Sequence, residues 1–156
     1  MSSIVRVISD LHLSHLNMAI KRGFKTSEQH DQHIIDQWNS VVKKRDVTWI
    51  LGDITMEKSS PYYLLDRLNG IKNVVLGNHD RPKDVTKLLN HVNKVCSSYR
   101  RGKTMFTHIP IHPCELDRFP INVHGHLHEK HILDDRYVNV SCEVIDYTPV
   151  EINSYL

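Results

Sequence analysis

An α/β fold follows from three features of the sequence. Short β-branched runs end in small polar pairs: Ile4–Ile8 at Ser9-Asp10, Val47–Leu51 at Gly52-Asp53, and Val74–Leu76 at Gly77-Asn78. Segments with apolar residues at helical spacing separate these runs. Beyond Asn90 the segments are nearly all strand-like. The first half therefore predicts crossover units with parallel strands, and the second half a mixed or antiparallel sheet.

Taken in order, Ile4–Ile8 is a buried strand, and residues 9–26 are expected to be mostly loop, with Gly23 inside. From Glu28 to about Lys43, Ile34, Ile35, Trp38, Val41 and Val42 share one helical face, with Ser27 as the expected N-cap. Val47–Leu51 is the second strand. Pro61 opens a short helix carrying Tyr62, Leu64, Leu65 and Leu68, closed by Asn69-Gly70. Val74–Leu76 is the third strand, and Pro82–Asn90 a further helix. Strands are then expected around Val95–Tyr99, Lys103–Thr107, Ile121–His124 and Tyr137–Val140, with Gly102 turning the first pair.

The chain has 156 residues, enough for one domain with a real core, so residues 1–156 are expected to form a single domain. Hydrophobic residues make up 40% and charged residues 24%, an ordinary globular composition that argues against disorder. The net charge of +2 neither demands nor excludes a nucleic-acid partner. No secretory pattern opens the sequence and no apolar run has the length of a membrane span, so a cytoplasmic protein with no membrane partner is expected. Cys96, Cys114 and Cys142 are odd in number and lack metal-type spacing, which fits a reduced compartment.

Twelve histidines are many for this length, and histidine is the commonest metal ligand. Their placement is informative. Asp10 and His12 follow the first strand, Asp53 the second, and Asn78 and His79 the third. His108 follows Lys103–Thr107, and His124, His126 and His128 come at the end of Ile121–His124. In open α/β sheets ligands bind outside the carboxyl ends of strands. Each residue alone would pass as an ordinary turn residue. Five strand ends carrying the same kind of chemistry point to one crevice. Carboxylates, imidazoles and a carboxamide suit manganese, iron, zinc or nickel better than calcium.

Asp10-Leu11-His12, Gly52-Asp53, Gly77-Asn78-His79-Asp80, His108 and Gly125-His126-Leu127-His128 together resemble the five ordered motifs of the calcineurin-like metallophosphoesterases. The match spans residues 10–128. Ser9-Asp10-Leu11-His12 with His15 and Asn17, Trp38-Asn39-Ser40-Val41-Val42 and Leu51-Gly52-Asp53 are similar to the small single-domain members found in bacteria and phages. The resemblance implies two packed mixed β-sheets flanked by helices, a four-layer α/β/β/α sandwich. It implies two divalent ions, manganese being the first choice for assay with iron, zinc or nickel as alternatives. One ion would be held by Asp10, His12, Asp53 and His128, the other by Asp53, Asn78, His108 and His126. A hydroxide bridging the ions would attack phosphorus in line, with His79 as general acid. The substrate would be a small phosphodiester or phosphomonoester, with a nucleotide among the candidates.

His15, Arg81, His112 and His124 are the candidate substrate-contacting residues. The acidic residue that often follows the Gly-Asp motif in the family is missing here, which leaves Glu57 and Asp80 to orient His79. The arginine and glutamate of the serine/threonine phosphatase signature are absent, which disfavours protein phosphatase activity. Three alternatives remain open: a nuclease working on single strands or ends, a non-catalytic scaffold of the same fold, and a metal-storage or sensor protein. The modest charge argues against the nuclease, because extended phosphate binding calls for a basic track. The presence of His79 argues against the scaffold. Oligomeric state is not encoded in any of these features.

Overall fold

The three β-branched runs that end in polar pairs become neighbouring parallel strands of one sheet. In the computed structural model, which describes residues 4–56 and 60–152, these are β1 (Val5–Ile8), β2 (Val47–Ile50) and β3 (Ile71–Val75). Their register runs Val5–Val47–Ile71 across the sheet. A short strand β4 (Lys94–Cys96) adds in parallel to β3, and β9 (Val150–Glu151) adds antiparallel to β1, giving the order β4-β3-β2-β1-β9. The second sheet has the order β5-β6-β7-β8, from Tyr99–Arg101, Thr104–Phe106, Ile121–His124 and Tyr137–Asn139. It is mixed: β5 and β6 form an antiparallel hairpin, and β6, β7 and β8 run parallel.

Side chains alternate along the central strands and build two cores. Ile8, Ile50 and Val74 face the helices, where they meet Ile34, Ile35, Trp38 and Leu65. Val7, Trp49 and Val75 face the other sheet, where they meet Phe106, Val123 and Val140. Trp49 stacks on Tyr99 with ring centroids 4.1 Å apart, which pins the two sheets together at the β5 edge. Burial on both faces explains why each strand ends in an apolar pair, Val7-Ile8, Trp49-Ile50 and Val74-Val75.

The α-helices are α1 (Leu16–Lys21), α2 (Ser27–Val41) and α3 (Val85–Leu88), with 3-10 turns at Tyr62–Arg67, Pro82–Asp84 and Pro113–Glu115. Several expectations are corrected. α1 lies inside the segment expected to be loop. It buries only Ala19 and leaves Leu16 and Ile20 exposed, so it carries no apolar stripe to reveal it. α2 begins one residue earlier than expected, because Thr26 rather than Ser27 is the cap. Thr26 is extended, and its hydroxyl accepts from the Gln29 amide at 3.1 Å. The segment after Pro61 is a 3-10 helix, and Pro82–Asn90 contains one 3-10 turn and a single turn of α-helix.

The expected strand Val95–Tyr99 divides into two. Cys96 pairs with Val75 in the first sheet and Tyr99 with Phe106 in the second, so the chain changes sheet at Ser97-Ser98. β9 and the turn at Pro113–Glu115 had no sequence signal. Among the described residues, residues 109–116 contribute only this 3-10 turn. Buried Asn122 anchors the segment, accepting from the Ile111 amide at 3.0 Å and donating to the Met105 carbonyl at 3.0 Å.

Trp38 is fully buried and its indole N–H donates to the Asn69 carbonyl at 2.9 Å. Trp38→Ala should destabilise the protein by about 3–5 kcal/mol, and Trp38→Phe by less. Urea unfolding followed by circular dichroism checks both, and a cost below about 1 kcal/mol for the alanine variant contradicts the packing described.

Candidate metal centre

The strand ends converge on one face, and the backbone there turns in an uncommon way. Asp10, His12, Asp53, His126 and His128 all have positive φ, at 61°, 48°, 54°, 69° and 52°. The left-handed region costs an L-residue about 1–2 kcal/mol, so five such residues in one place need strong local restraint. Hydrogen bonds between neighbouring strand ends supply it. The Asp10 amide donates to Gly52 O at 3.0 Å, the His12 amide to Asp53 O at 3.0 Å, and the Gly125 amide to His108 O at 3.0 Å. Each turn lifts its side chain off the ladder and into the shared crevice.

Two glycines permit this crowding. Gly52 has φ 90°, and a Cβ there would lie 2.5 Å from Gly77 N and 2.7 Å from His108 Nδ1. A Cβ at Gly125 would collide with Ser9 Oγ and Asp10 Oδ2.

Two groups of side chains could each hold a metal ion: Asp10, His12 and His128, and Asp53, His108 and His126. Within each group the ligand atoms lie inside 4.8 Å of one another. Asn78 joins the second group, its Oδ1 lying 2.8 Å from His108 Nε2 and 3.0 Å from His126 Nδ1. Asp53 stands between the groups. Its Oδ2 is 3.3 Å from His108 Nε2 and 3.8 Å from His12 Nε2.

One oxygen of each aspartate is held by the protein. Asp10 Oδ2 accepts from the His126 amide at 2.9 Å and from the Ser141 hydroxyl at 3.0 Å. Asp53 Oδ1 accepts from the His79 amide at 2.9 Å. The other oxygens face the crevice.

The donor set fits divalent cations. Asp10 Oδ1 and both ring nitrogens of His12 are buried without a hydrogen-bond partner. Burying a carboxylate oxygen and an imidazole in that way is costly unless a cation satisfies them. His108 Nδ1 lies 2.7 Å from the Leu51 carbonyl, which assigns it the proton and leaves Nε2 facing Asn78 Oδ1 and Asp53. Two acceptors aimed at each other also call for positive charge between them.

The titration behaviour agrees. Burial drives the His12 pKa down to about 3, with the charge of Asp53 only partly opposing, so the ring is neutral and free to ligate. Burial also lowers His126. Burial opposes charging His108, but the hydrogen bond and charge of Asp53 outweigh it and raise its pKa. Burial acts to raise Asp53 as well, yet its contact with His108 holds it below the ordinary carboxylate value.

The other expected residues are distributed as follows. His79 follows β3, and its ring lies 5.8 Å from that of His12. His15 lies 6.3 Å from His12, ring to ring, at the start of α1. His124 is buried beneath the crevice, its Nδ1 2.8 Å from Gly125 O and its ring packed near Tyr137. Arg81 turns to Asp84 Oδ2, with Nε at 2.8 Å and Nη2 at 2.6 Å. His112 is exposed and caps the turn at Pro113–Glu115 by accepting from the Cys114 amide at 3.2 Å. Asp80, one of the two groups expected to orient His79, is committed to the backbone instead. It accepts from the amides of Asp53 at 2.8 Å, Ile54 at 3.0 Å and Gly77 at 2.8 Å. Glu57 lies outside the described residues.

Arg22, Ser141 and Glu143 complete the centre and escaped the sequence reading. Glu143 Oε1 lies 2.9 Å from His128 Nδ1, and this hydrogen bond raises the His128 pKa against the opposing effect of burial. Glu143 itself is held down to about 2, because His128 and Arg22 outweigh the effect of burial. None of the three stands in a motif or at a regular spacing from one. Only the fold brings them in.

No family model matches the chain. The uncharacterized protein MJ1445 of Methanocaldococcus jannaschii is 31% identical over 163 residues, which cover 96% of this chain and 87% of that protein. The gene 66 protein of Mycobacterium phage D29 is 42% identical over 79 residues, 47% of this chain and 39% of that protein. Among solved structures, the protein of unknown function AQ665 from Aquifex aeolicus superposes with a TM-score of 0.76 at 21% identity, covering 98% of this chain and 97% of that one, and so shares the fold. No helix among the described residues is long and apolar enough to cross a membrane. With almost the whole of both sequences aligned, this chain belongs to the same family as MJ1445 of Methanocaldococcus jannaschii.

Proposed function

We propose that the protein is a metal-dependent phosphoesterase that hydrolyses a small phosphate ester. The observation that carries this reading is the position of Asp53 Oδ2, within 3.8 Å of a nitrogen from each of the two ligand groups. A carboxylate shared by two cation sites is suited to holding a closely spaced pair of ions. Asp10, His12, Asp53 and His128 would hold one ion, and Asp53, Asn78, His108 and His126 the other, with manganese the first choice for assay. Ions held by these residues would supply positive charge for the phosphoryl oxygens and would activate water at neutral pH.

The protein's own residues do the rest. His79 is fixed to the centre through its backbone amide on Asp53 and is partly exposed, so its imidazole can give a proton to the departing oxygen. Asp80 ties the amides of Asp53, Ile54 and Gly77 into one unit, which holds the Asp53 carboxylate and the His79 turn in fixed relation. His15 borders the same space and supports a role in contacting substrate. A cavity of about 350 Å³ adjoins Asn78 and His108. It is lined by Leu76, Gly77, Ser97, Thr107 and Ile109 and, among the described residues, has no carboxylate, lysine or arginine in its wall, which suits the uncharged part of an ester. A nucleoside or another neutral alcohol is therefore a better fit there than a second phosphate.

Metal-stripped protein should regain hydrolysis of bis-p-nitrophenyl phosphate or p-nitrophenyl phosphate on titration with Mn²⁺, and lose it to chelator. Failure with both esters in metal-loaded protein would falsify the reading. Asp53→Asn should abolish turnover and reduce bound metal in elemental analysis. His79→Ala should keep the metal content and lower kcat by about 10²–10⁴. Turnover equal to wild type in that variant removes the acid role assigned to His79.

A further inference from the structure

The two ligand groups are backed by the protein in different ways. In the second group, His108 is oriented by a neutral backbone carbonyl, that of Leu51. In the first, His128 is oriented by the Glu143 carboxylate, and that carboxylate is itself gripped. Arg22 Nε and Nη2 both lie 2.8 Å from Glu143 Oε1. The Arg22 side chain is only 2% exposed.

Arg22 makes three further polar contacts. Its Nη2 donates to the Asp10 carbonyl at 2.7 Å, and Nη1 to the Leu11 carbonyl at 3.1 Å. Nη1 also lies 2.9 Å from His30 Nε2, while His30 Nδ1 lies 3.0 Å from Asp31. Asp31 in turn accepts from the Ser14 amide, at 3.0 and 2.9 Å to its two oxygens. One buried guanidinium thus braces the backbone that presents Asp10 and His12, and through Glu143 it braces His128 as well. All three ligands of the first group depend on it.

We propose that Arg22 and Glu143 are positioning residues that give the Asp10–His12–His128 group the higher cation affinity, so that it fills before the Asp53–His108–His126 group. The inference rests on the two-cation reading above. The physical basis is that a carboxylate behind a ligating imidazole fixes the tautomer and ring orientation and makes the other nitrogen a better donor. The braced loop also has less freedom to lose when a cation arrives.

Mn²⁺ titrated calorimetrically into metal-stripped, full-length protein should resolve two steps. Glu143→Gln should weaken the tighter step by about ten- to hundredfold and leave the weaker one in place. Asn78→Ala should do the reverse. Arg22→Lys keeps the charge but loses the fork, so it should also weaken the tighter step, and it provides a second reading should Glu143→Gln melt early in the metal-free state. Co²⁺ at one equivalent adds a signature that general destabilisation does not mimic. Its visible spectrum should be the same in wild type and Asn78→Ala and different in Glu143→Gln. Equal weakening of both steps by Glu143→Gln, no weakening by either Glu143→Gln or Arg22→Lys, or a one-equivalent spectrum changed by Asn78→Ala alone overturns the inference while the two-cation reading stands. Uptake of neither ion by wild type overturns that reading and the inference together.

Discussion

The centre depends on left-handed backbone at the ends of β1, β2 and β7. Five of the residues that face the crevice sit there with positive φ, a conformation that L-residues avoid because the Cβ crowds the following carbonyl. The cost is met by hydrogen bonds that join one strand end to the next, such as Asp10 N to Gly52 O and His12 N to Asp53 O. Glycines 52 and 125 leave room that a Cβ would fill. Strain of this kind persists only where the surroundings over-determine it, and it collects at functional sites.

Electrostatics and geometry answer to the same constraint. The turns that aim Asp10 and Asp53 inward also commit one oxygen of each to protein donors and leave the other to the crevice. Burial then keeps His12 neutral, while the Asp53–His108 pair favours a charge shared between them. A compact set of buried imidazoles and half-satisfied carboxylates is a poor hydrophobic core and a good cation cradle. Asp80 and Arg22 contribute without facing the crevice, Asp80 through backbone amides and Arg22 through carbonyls and Glu143.

The central strands and the residues at their ends were legible because their signals are local. A β-branched run followed by a polar pair marks both a strand and the place where it stops, so Asp10, Asp53 and Asn78 could be placed from spacing alone. Trp38 and its neighbours on α2 were legible for the same reason, through a 3.6-residue period. What escaped is non-local. α1 has no buried stripe, and the break at Ser97-Ser98 depends on which sheet each neighbour joins. Arg22 and Glu143 are 121 residues apart and meet only because the Ser9–Ser141 bridge brings the ends of β1 and β8 together. Thr26 replaced Ser27 as a cap because the choice between adjacent hydroxyls is made by backbone angle, not residue type.

That Ser9–Ser141 bridge also fixes when the centre can exist. Asp10 Oδ2 and the Ser141 hydroxyl are separated by 131 residues of chain, and the Glu143 that holds His128 follows shortly after. A nascent polypeptide exposes Asp10 and His12 long before it has synthesised the segment that orders them. A contact so distant in sequence costs loop-closure entropy that only the folded sheets around it repay. The cradle is therefore complete only when residues from both ends of the chain are in place, so a chain truncated before Ser141 has Asp10 and His12 without the groups that hold Asp10 and His128.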